Sequence, residues 1–257
     1  MNQATQKDTV WITGASSGIG LALTKCFLDA GWKVIASARG PGELSALIDA
    51  NENLSFVPFD MTDESQMDTV REALSAQTDK LDCAVLNAGT CEYLDITETN
   101  PDWKMMDRIM SVNFIGLVNS VEVSLPLLKK SPRAHLVGVS SQAVQAAFPK
   151  AEAYGASKAA IRYFLSSLRM DLKQYNVDVT CLLPGFVDTP LTQKNTFDMP
   201  FLMSADDAAK RMFTALKSRP FEYAFPKRLT AMLWIGRHFP KLWLSKLAPK
   251  KSSSTSA

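Results

Sequence analysis

Histidine and cysteine are scarce: the 257 residues include two histidines, His135 and His238, and four cysteines, Cys26, Cys83, Cys91 and Cys181. The histidines stand far apart without ligand-like neighbours, and the cysteines form neither a CxxC nor a Cys/His cluster. Neither a metal centre nor a His-based triad is therefore expected, and both histidines read as structural. Two of the cysteines lie in apolar runs that read as strands, and all four look like buried free thiols. The N-terminal MNQATQKDTVWITG lacks the apolar core of a signal peptide, and no run approaches the ~18 apolar residues of a membrane span. A reducing cytoplasm is the expected location. A large charge excess is also missing: 28 basic against 26 acidic residues leave +2. Nucleic-acid binding has no global support, and a small-molecule partner is expected.

What is present is a chain that is 46% hydrophobic and long enough to bury one substantial core. Short runs of Val, Ile, Leu and Phe alternate with longer amphipathic stretches from end to end, the pattern of βαβ units around a buried parallel sheet. Strands are predicted over Thr9 to Thr13, Trp32 to Ala38, Leu54 to Asp60, Cys83 to Asn87, His135 to Ser140, Val177 to Leu183 and Glu222 to Phe225. Helices are predicted over Ile19 to Ala30, Glu43 to Ala50, Glu64 to Gln77, Trp103 to Lys130, Glu152 to Tyr175 and Ala205 to Lys217. The fold class is α/β: a doubly wound parallel sheet of about seven strands with helices on both faces. Residues 1–225 make a single domain and 226–257 an extension. Right-handed crossovers then direct attention to the carboxyl ends of the strands.

The first strand ends in TGASSGIG, residues 13–20, with Ser16, Ser17 and Ile19 between and beside the glycines. Gly14 permits a tight turn, Gly18 lets backbone approach a phosphate, and Gly20 allows close helix packing, with the helix N-terminus facing a pyrophosphate. The same glycines also suit an ordinary strand-to-helix turn. After the second strand, the place where a carboxylate would read the ribose hydroxyls of NAD is Ala38, and Arg39 stands next to it. A guanidinium there can hold a 2′-phosphate, with Ser37 as a further donor, so NADP(H) is favoured over NAD(H). The third strand ends at Asp60 and Met61: the carboxylate could meet an adenine amino group, or Asp60 or Thr62 could cap a helix. The fourth ends in Asn87, Ala88 and Gly89, small residues beside an amide able to tie strand ends together. The sixth ends in LLPGFVDTP, where Pro184, Gly185, Val187 and Thr189 turn over the same edge, Thr189 within reach of a carboxamide.

The fifth strand delivers VSS, and SQAVQAAFPKAEAYGASK follows. On a helix Tyr154 and Lys158 share a face, and a cation near a phenol is expected to lower its pKa from about 10 toward the range of an acid/base catalyst. Asn113, within SVNFIG, is a polar residue in an apolar stretch that either satisfies backbone groups or holds a water. LTQKNTFDMPFLM, with Phe197, Met199, Phe201, Leu202 and Met203, reads as a lid or substrate loop, or as apolar residues packed on the body. In the tail, Leu229, Met232, Leu233, Trp234, Leu242, Trp243 and Leu247 alternate with Arg228, Arg237, Lys241, Lys246, Lys250 and Lys251. Two short amphipathic helices divided near Pro240 are predicted. They either meet an anionic membrane or pack on the domain or a partner subunit, and SSSTSA at the end is expected to be disordered.

Taken together, TGASSGIG, LNAG, SVNFIG, VSS, YGASK and PGFVDT resemble, in order and spacing, the motifs of the short-chain dehydrogenase/reductase family over about Thr9 to Phe225. The resemblance implies a Rossmann-type fold, assembly into dimers or tetramers through the two long helices, and a tetrad of Asn113, Ser141, Tyr154 and Lys158. In that scheme Tyr154 protonates a carbonyl oxygen, Ser141 hydrogen-bonds it, Lys158 lowers the tyrosine pKa and binds the nicotinamide ribose, and Asn113 positions a relay water. The interval of thirteen residues to Tyr154 selects Ser141 over Ser140. The chain departs from the family's common NADP(H) pattern in having Ser17, not a basic residue, before the second motif glycine, so that preference rests on Arg39. The expected function is an NADP(H)-dependent oxidoreductase acting on a carbonyl/alcohol pair, the substrate apolar in view of Tyr93, Val144 and Phe148. The alternatives are a non-catalytic NADP(H) sensor or scaffold, and a peripheral membrane protein acting through its tail.

Overall fold

Every side chain of TVWIT is buried, which requires a strand covered on both faces, and this is β1 (Thr9–Thr13). The computed structural model describes residues 7–195 and 197–248. After β1 come α1 (Gly18–Asp29), β2 (Lys33–Ala38), α2 (Ser45–Ala50), β3 (Leu54–Pro58), α3 (Met67–Gln77), β4 (Cys83–Leu86), α4 (Met105–Met110) and α5 (Gly116–Leu128). The second half holds β5 (Ala134–Val139), α6 (Glu152–Leu172), β6 (Val177–Pro184), β7 (Val187–Asp188), β8 (Met203–Ser204), α7 (Ala205–Leu216), β9 (Glu222–Phe225), α8 (Lys227–His238) and α9 (Pro240–Leu247).

The main sheet has seven strands in the order β3-β2-β1-β4-β5-β6-β9, and all its pairings are parallel. This is the doubly wound sheet that the alternating pattern predicts; β7 and β8 pair separately. Period-two alternation sends Trp11, Ile35, Ala84 and Leu136 into one core layer with α3, α5 and α6. Val10, Ile12, Val34 and Val85 enter the other, with α1 and α7. The buried His135 bonds Thr180 Oγ1 at 2.8 Å, and burial holds its pKa down to about 3, as befits a structural residue. Cys83 and Cys181 are buried on strands, with thiols pushed up to about 12 by burial; Cys26 and Cys91 are only half-buried.

Several boundaries differ from expectation. The helix predicted over Trp103 to Lys130 is interrupted by a π turn, Ser111–Ile115, between α4 and α5, and such turns often mark functional positions. By length and composition Met105–Leu128 is apolar enough to cross a bilayer, although polar residues interrupt its apolar run in the sequence. Its Leu117, Val121, Val123 and Leu127 nevertheless pack in the sheet core. The helix predicted to Tyr175 ends in a 3-10 turn, and Asn176 reverses the chain at φ 54°, a conformation asparagine tolerates.

The tail forms the two helices predicted, with Pro240 at the first position of α9, where its missing N–H is not needed. Of the alternatives for it, the inner face packs on its own domain. Leu229 and Leu233 are buried, and Trp243 Nε1 donates to Ala147 O at 2.6 Å. Thr230 Oγ1 donates to Gln142 Oε1 at 3.0 Å. Gly236 lies so close under Trp243 that a Cβ would sit 2.7 Å from its ring. Lys250, Lys251 and SSSTSA lie outside the described residues.

Because α8 belongs to the core, Leu233→Ala should cost about 2 to 4 kcal/mol, read as a lower urea midpoint at unchanged slope. An unchanged midpoint would mean that the extension is an appendage.

Candidate active site

Just beyond β1, Gly14 and Gly18 have φ of 65° and 53°, in the left-handed region that favours glycine. A Cβ on Gly20 would come 2.1 Å from Gly14 O, so the first turn of α1 lies directly against the strand end. Ser17 stands at the N-cap of α1 without a side-chain capping bond, leaving the first amides free for an anionic group. Asn87 ties the strand ends as predicted: Nδ2 donates to Thr13 O and Gly14 O, both at 3.2 Å. Thr13 Oγ1 in turn accepts from the N–H groups of Asn87 and Ala88 at 3.1 and 3.3 Å. The tie joins β1 to β4, where the strand order reverses and open α/β sheets bind ligands.

A cleft of about 970 Å³ opens along this edge. It is lined by every residue predicted to contact a cofactor except Gly20, which lies behind the turn: Gly14, Ser16, Ser17, Gly18, Ile19, Ser37, Arg39, Asp60, Met61, Asn87, Ala88, Gly89, Tyr154, Lys158, Pro184, Gly185, Val187 and Thr189. Arg39 is exposed at the rim and forms no ion pair among the described residues. Ser37 lines the cleft but is 1% exposed, and its hydroxyl accepts from Trp11 Nε1 at 2.9 Å, so it satisfies a buried indole while its own proton stays available to donate. Asp60 Oδ1 accepts from Thr62 N and Thr62 Oγ1 at 3.0 and 2.7 Å. The cap offered to these two residues falls to Asp63, which accepts from Ser65 N at 3.0 Å. Thr189 Cγ2 would touch a Cβ on Gly18 at 3.0 Å, so the segment after β6 closes over the glycine turn.

On α6, Tyr154 and Lys158 stand one turn apart, as predicted, with Lys158 Nζ 5.8 Å from the Tyr154 ring centroid. Lys158 is 4% exposed, and Nζ donates to Val139 O at 3.0 Å. Burial brings its pKa down to about 8. The expected lowering of the tyrosine pKa is not observed: burial pushes Tyr154 up to about 12, against a lowering from a hydrogen bond with Ser141. Phenolate formation meets the desolvation cost first, and the ammonium is itself poorly stabilised at this depth.

Ser141 Oγ accepts from Ala143 N at 3.1 Å, leaving its proton for the phenol side. Ser140 Oγ instead donates to Lys158 O at 2.8 Å, a structural tie between β5 and α6. Asn113 is wholly buried: Oδ1 accepts from Thr90 N at 2.7 Å, and Nδ2 donates to Thr90 O at 3.0 Å and to Ser157 Oγ at 2.9 Å. Both amide protons are thus engaged, and of the two readings of Asn113 the structural one describes this side chain. Ser157 Oγ donates to Tyr154 O at 2.8 Å, so Asn113 braces the turn that carries the tyrosine. Asn113 and Ser141 stand just behind the cleft wall, while Tyr154 and Lys158 line it. Ser157 and Thr13 were missed in the sequence; Ser157, three residues after Tyr154, was the detectable one.

These residues fit a nicotinamide dinucleotide. A buried ammonium with one hydrogen-bond partner has donors to spare for ribose hydroxyls, and the glycine turn presents open amides to phosphate. The lysine carries a stability cost with a definite pH dependence. Its pKa is near 10.5 unfolded and about 8 folded, so between those values the unfolded chain holds more protons and stability rises with pH. Below about 8 the full cost remains. Lys158→Met should therefore stabilise the ligand-free protein at pH 7 by on the order of 2 kcal/mol, with the gain shrinking toward pH 10. Thermal melts across that range check it; a pH-independent difference would remove the titration from the account.

The family model for short chain dehydrogenases matches residues 8–199. An uncharacterized oxidoreductase of Myxococcus xanthus is 35% identical over 90% of this chain and 92% of its own length. A benzil reductase ((S)-benzoin forming) of Saccharomyces cerevisiae is 36% identical over 71% of this chain and 72% of its own. Among solved structures, a short chain dehydrogenase from Burkholderia cenocepacia in complex with NADP superposes with a TM-score of 0.81 at 24% identity, covering 95% and 99% of the two chains. A Burkholderia phymatum homologue of that fold in complex with NAD gives 0.81 at 22% identity, over 93% and 95%. The structural likenesses establish the fold, and the family match together with the Myxococcus relative establishes that this chain belongs to the short-chain dehydrogenase/reductase family of oxidoreductases, which act on CH–OH groups with NAD(P).

Proposed function

We propose that the protein is an NADP(H)-dependent reductase that converts an apolar ketone or aldehyde to the alcohol, with Tyr154 as its acid/base. The observation that carries this reading is the Tyr154 phenol on the cleft wall, one helical turn from a buried, under-partnered Lys158, with the Ser141 side chain acting to lower its pKa. The bound nicotinamide cofactor supplies the hydride. With a pKa raised to about 12, Tyr154 is protonated throughout the physiological range, as an acid for carbonyl reduction must be, and the alcohol product is a weaker acid still. Ser141 donates to the substrate oxygen and stabilises its developing charge. Lys158 holds the ribose, and Asn113 holds the backbone beneath Tyr154.

For the cofactor, Ala38 removes the acid that would repel a 2′-phosphate, and Arg39 stands at the rim without an ion pair among the described residues. For the substrate, aromatic edges run in file beside the site: Tyr93 to Phe197 at 5.6 Å, Phe197 to Phe186 at 6.1 Å, Phe186 to Phe148 at 6.5 Å and Phe148 to Trp243 at 5.7 Å. The lid reading of the loop gains from Tyr93 Oη, which donates to Asn195 Oδ1 at 2.8 Å. A relative named benzil reductase agrees with an apolar carbonyl substrate. Exposed Tyr163 and Met170 on α6 support assembly of copies through the long helices; a cytoplasmic location completes the proposal.

NADPH oxidation against a panel of ketones and aldehydes should show turnover that Tyr154→Phe lowers by about 100-fold or more while NADPH still binds. Binding without turnover of any carbonyl or alcohol would favour a sensor. Arg39→Ala should weaken NADPH by about tenfold and NADH little, measured by titration; equal losses would show that Arg39 does not read the 2′-phosphate.

A further inference from the structure

The net charge of +2 hides a steep partition. Residues 226–257 carry seven of the 28 lysines and arginines and no aspartate or glutamate, so the preceding 225 residues hold 21 basic and all 26 acidic side chains, −5 against +7. Opposite charges on one chain have every opportunity to pair. Yet among the described residues none of Lys227, Arg228, Arg237, Lys241 and Lys246 forms an ion pair. All five are exposed.

The helices carrying these cations have two faces. Leu229, Leu233 and Gly236 of α8 are buried on the body, and Trp243 of α9 is pinned to Ala147. The other side presents Trp234 at 56% exposure, Ile235 at 48%, Phe239 at 56%, Leu242 at 49% and Leu244 at 66%. Five exposed large apolar side chains within eleven positions, interspersed with cations that form no ion pair among the described residues, are unusual on a free protein surface.

We propose that this outer face of α8 and α9 docks on an anionic lipid surface. A bilayer interface answers both features at once: apolar side chains enter below the headgroups while lysine and arginine stems reach out to lipid charge. Trp234 suits it in particular, since an indole places an apolar body and a polar N–H at the same depth. A second protein copy fits less well, because interface cores are depleted in lysine, and here Lys241 and Lys246 stand among the apolar residues. The inner face already belongs to the domain, so docking requires no rearrangement. It would bring the Trp243–Phe148 side of the substrate site toward the bilayer. The proposal does not depend on which substrate is reduced, or on whether turnover occurs.

The test is co-sedimentation of the full-length protein with vesicles of phosphatidylcholine alone and of equal parts phosphatidylcholine and phosphatidylglycerol. The protein should pellet only with the anionic vesicles and be released by high salt. Two double variants, Trp234→Ala with Leu244→Ala and Lys241→Glu with Lys246→Glu, should each lower the partition by about tenfold or more. Their melting curves and NADPH binding should match the unmodified protein's, because all four side chains are exposed and lie outside the cleft. Failure to pellet with anionic vesicles at low salt overturns the proposal, as does equal pelleting of both variants. Concentration-dependent self-association in light scattering that both variants abolish, without vesicle binding, would assign the face to a second copy.

Discussion

A buried ammonium without an anionic partner among the described residues is the constraint around which the site is built. Lys158 Nζ has Val139 O as its hydrogen-bond acceptor, so the end of β5 and the second turn of α6 must be held at one separation. Ser140 does this from the other direction by bonding Lys158 O. Gly89 leaves the ammonium room: a Cβ there would come 3.2 Å from Nζ and 3.1 Å from Asn113 Oδ1. Asn113 fastens Thr90 to Ser157, and Ser157 reaches back to Tyr154 O. Removing the Asn113 amide takes away the acceptor of Thr90 N and the donor to Ser157 Oγ, a cost carried by the whole network.

The glycine turn is coupled to the same edge through Asn87, whose amide holds both Thr13 O and Gly14 O. Cofactor floor and catalytic wall are thus joined by strand ends and not by flexible loops. A parallel sheet makes this possible, because each of β1, β4, β5 and β6 delivers its carboxyl end to the same side. Turns that would otherwise sit anywhere on the surface converge there.

The sheet was largely legible in the sequence because fully buried strands leave unbroken apolar runs such as TVWIT, and their ends coincide with glycine, asparagine or proline. The cleft-lining residues at the strand ends were legible for the same reason, because a motif at a strand end is placed by the strand, whereas Tyr154 and Lys158 were placed by helical spacing on α6. Three things were not legible. The π turn at Ser111–Ile115 follows from how Asn113 is satisfied in space, which periodicity along one helix does not encode. The partner of Ser37 is Trp11, 26 residues away on the adjacent strand, so the buried indole's claim on that hydroxyl appears only when β1 and β2 are paired. The tyrosine pKa was misjudged because helical spacing reports the nearness of a charge and not the depth at which both groups sit. At this site depth dominates.

Depth also explains why the two halves of the site are made differently. Proton and hydride chemistry tolerates little displacement, and its residues hang on the rigid sheet edge, cross-braced by buried hydrogen bonds. The aromatic side chains to which the proposed function assigns the substrate, Tyr93, Phe148, Phe186, Phe197 and Trp243, come from loops and from α9 and pack edge to face. Such contacts are nondirectional compared with a hydrogen-bond network and accept different shapes at modest cost. Phe148 lies seven residues after Ser141, and it meets a tryptophan from the last helix. The extension that follows the common core thereby reaches the segment after β5 through this aromatic contact and through the Trp243 Nε1–Ala147 O and Thr230–Gln142 hydrogen bonds, while Tyr154 and Lys158 are carried separately on α6.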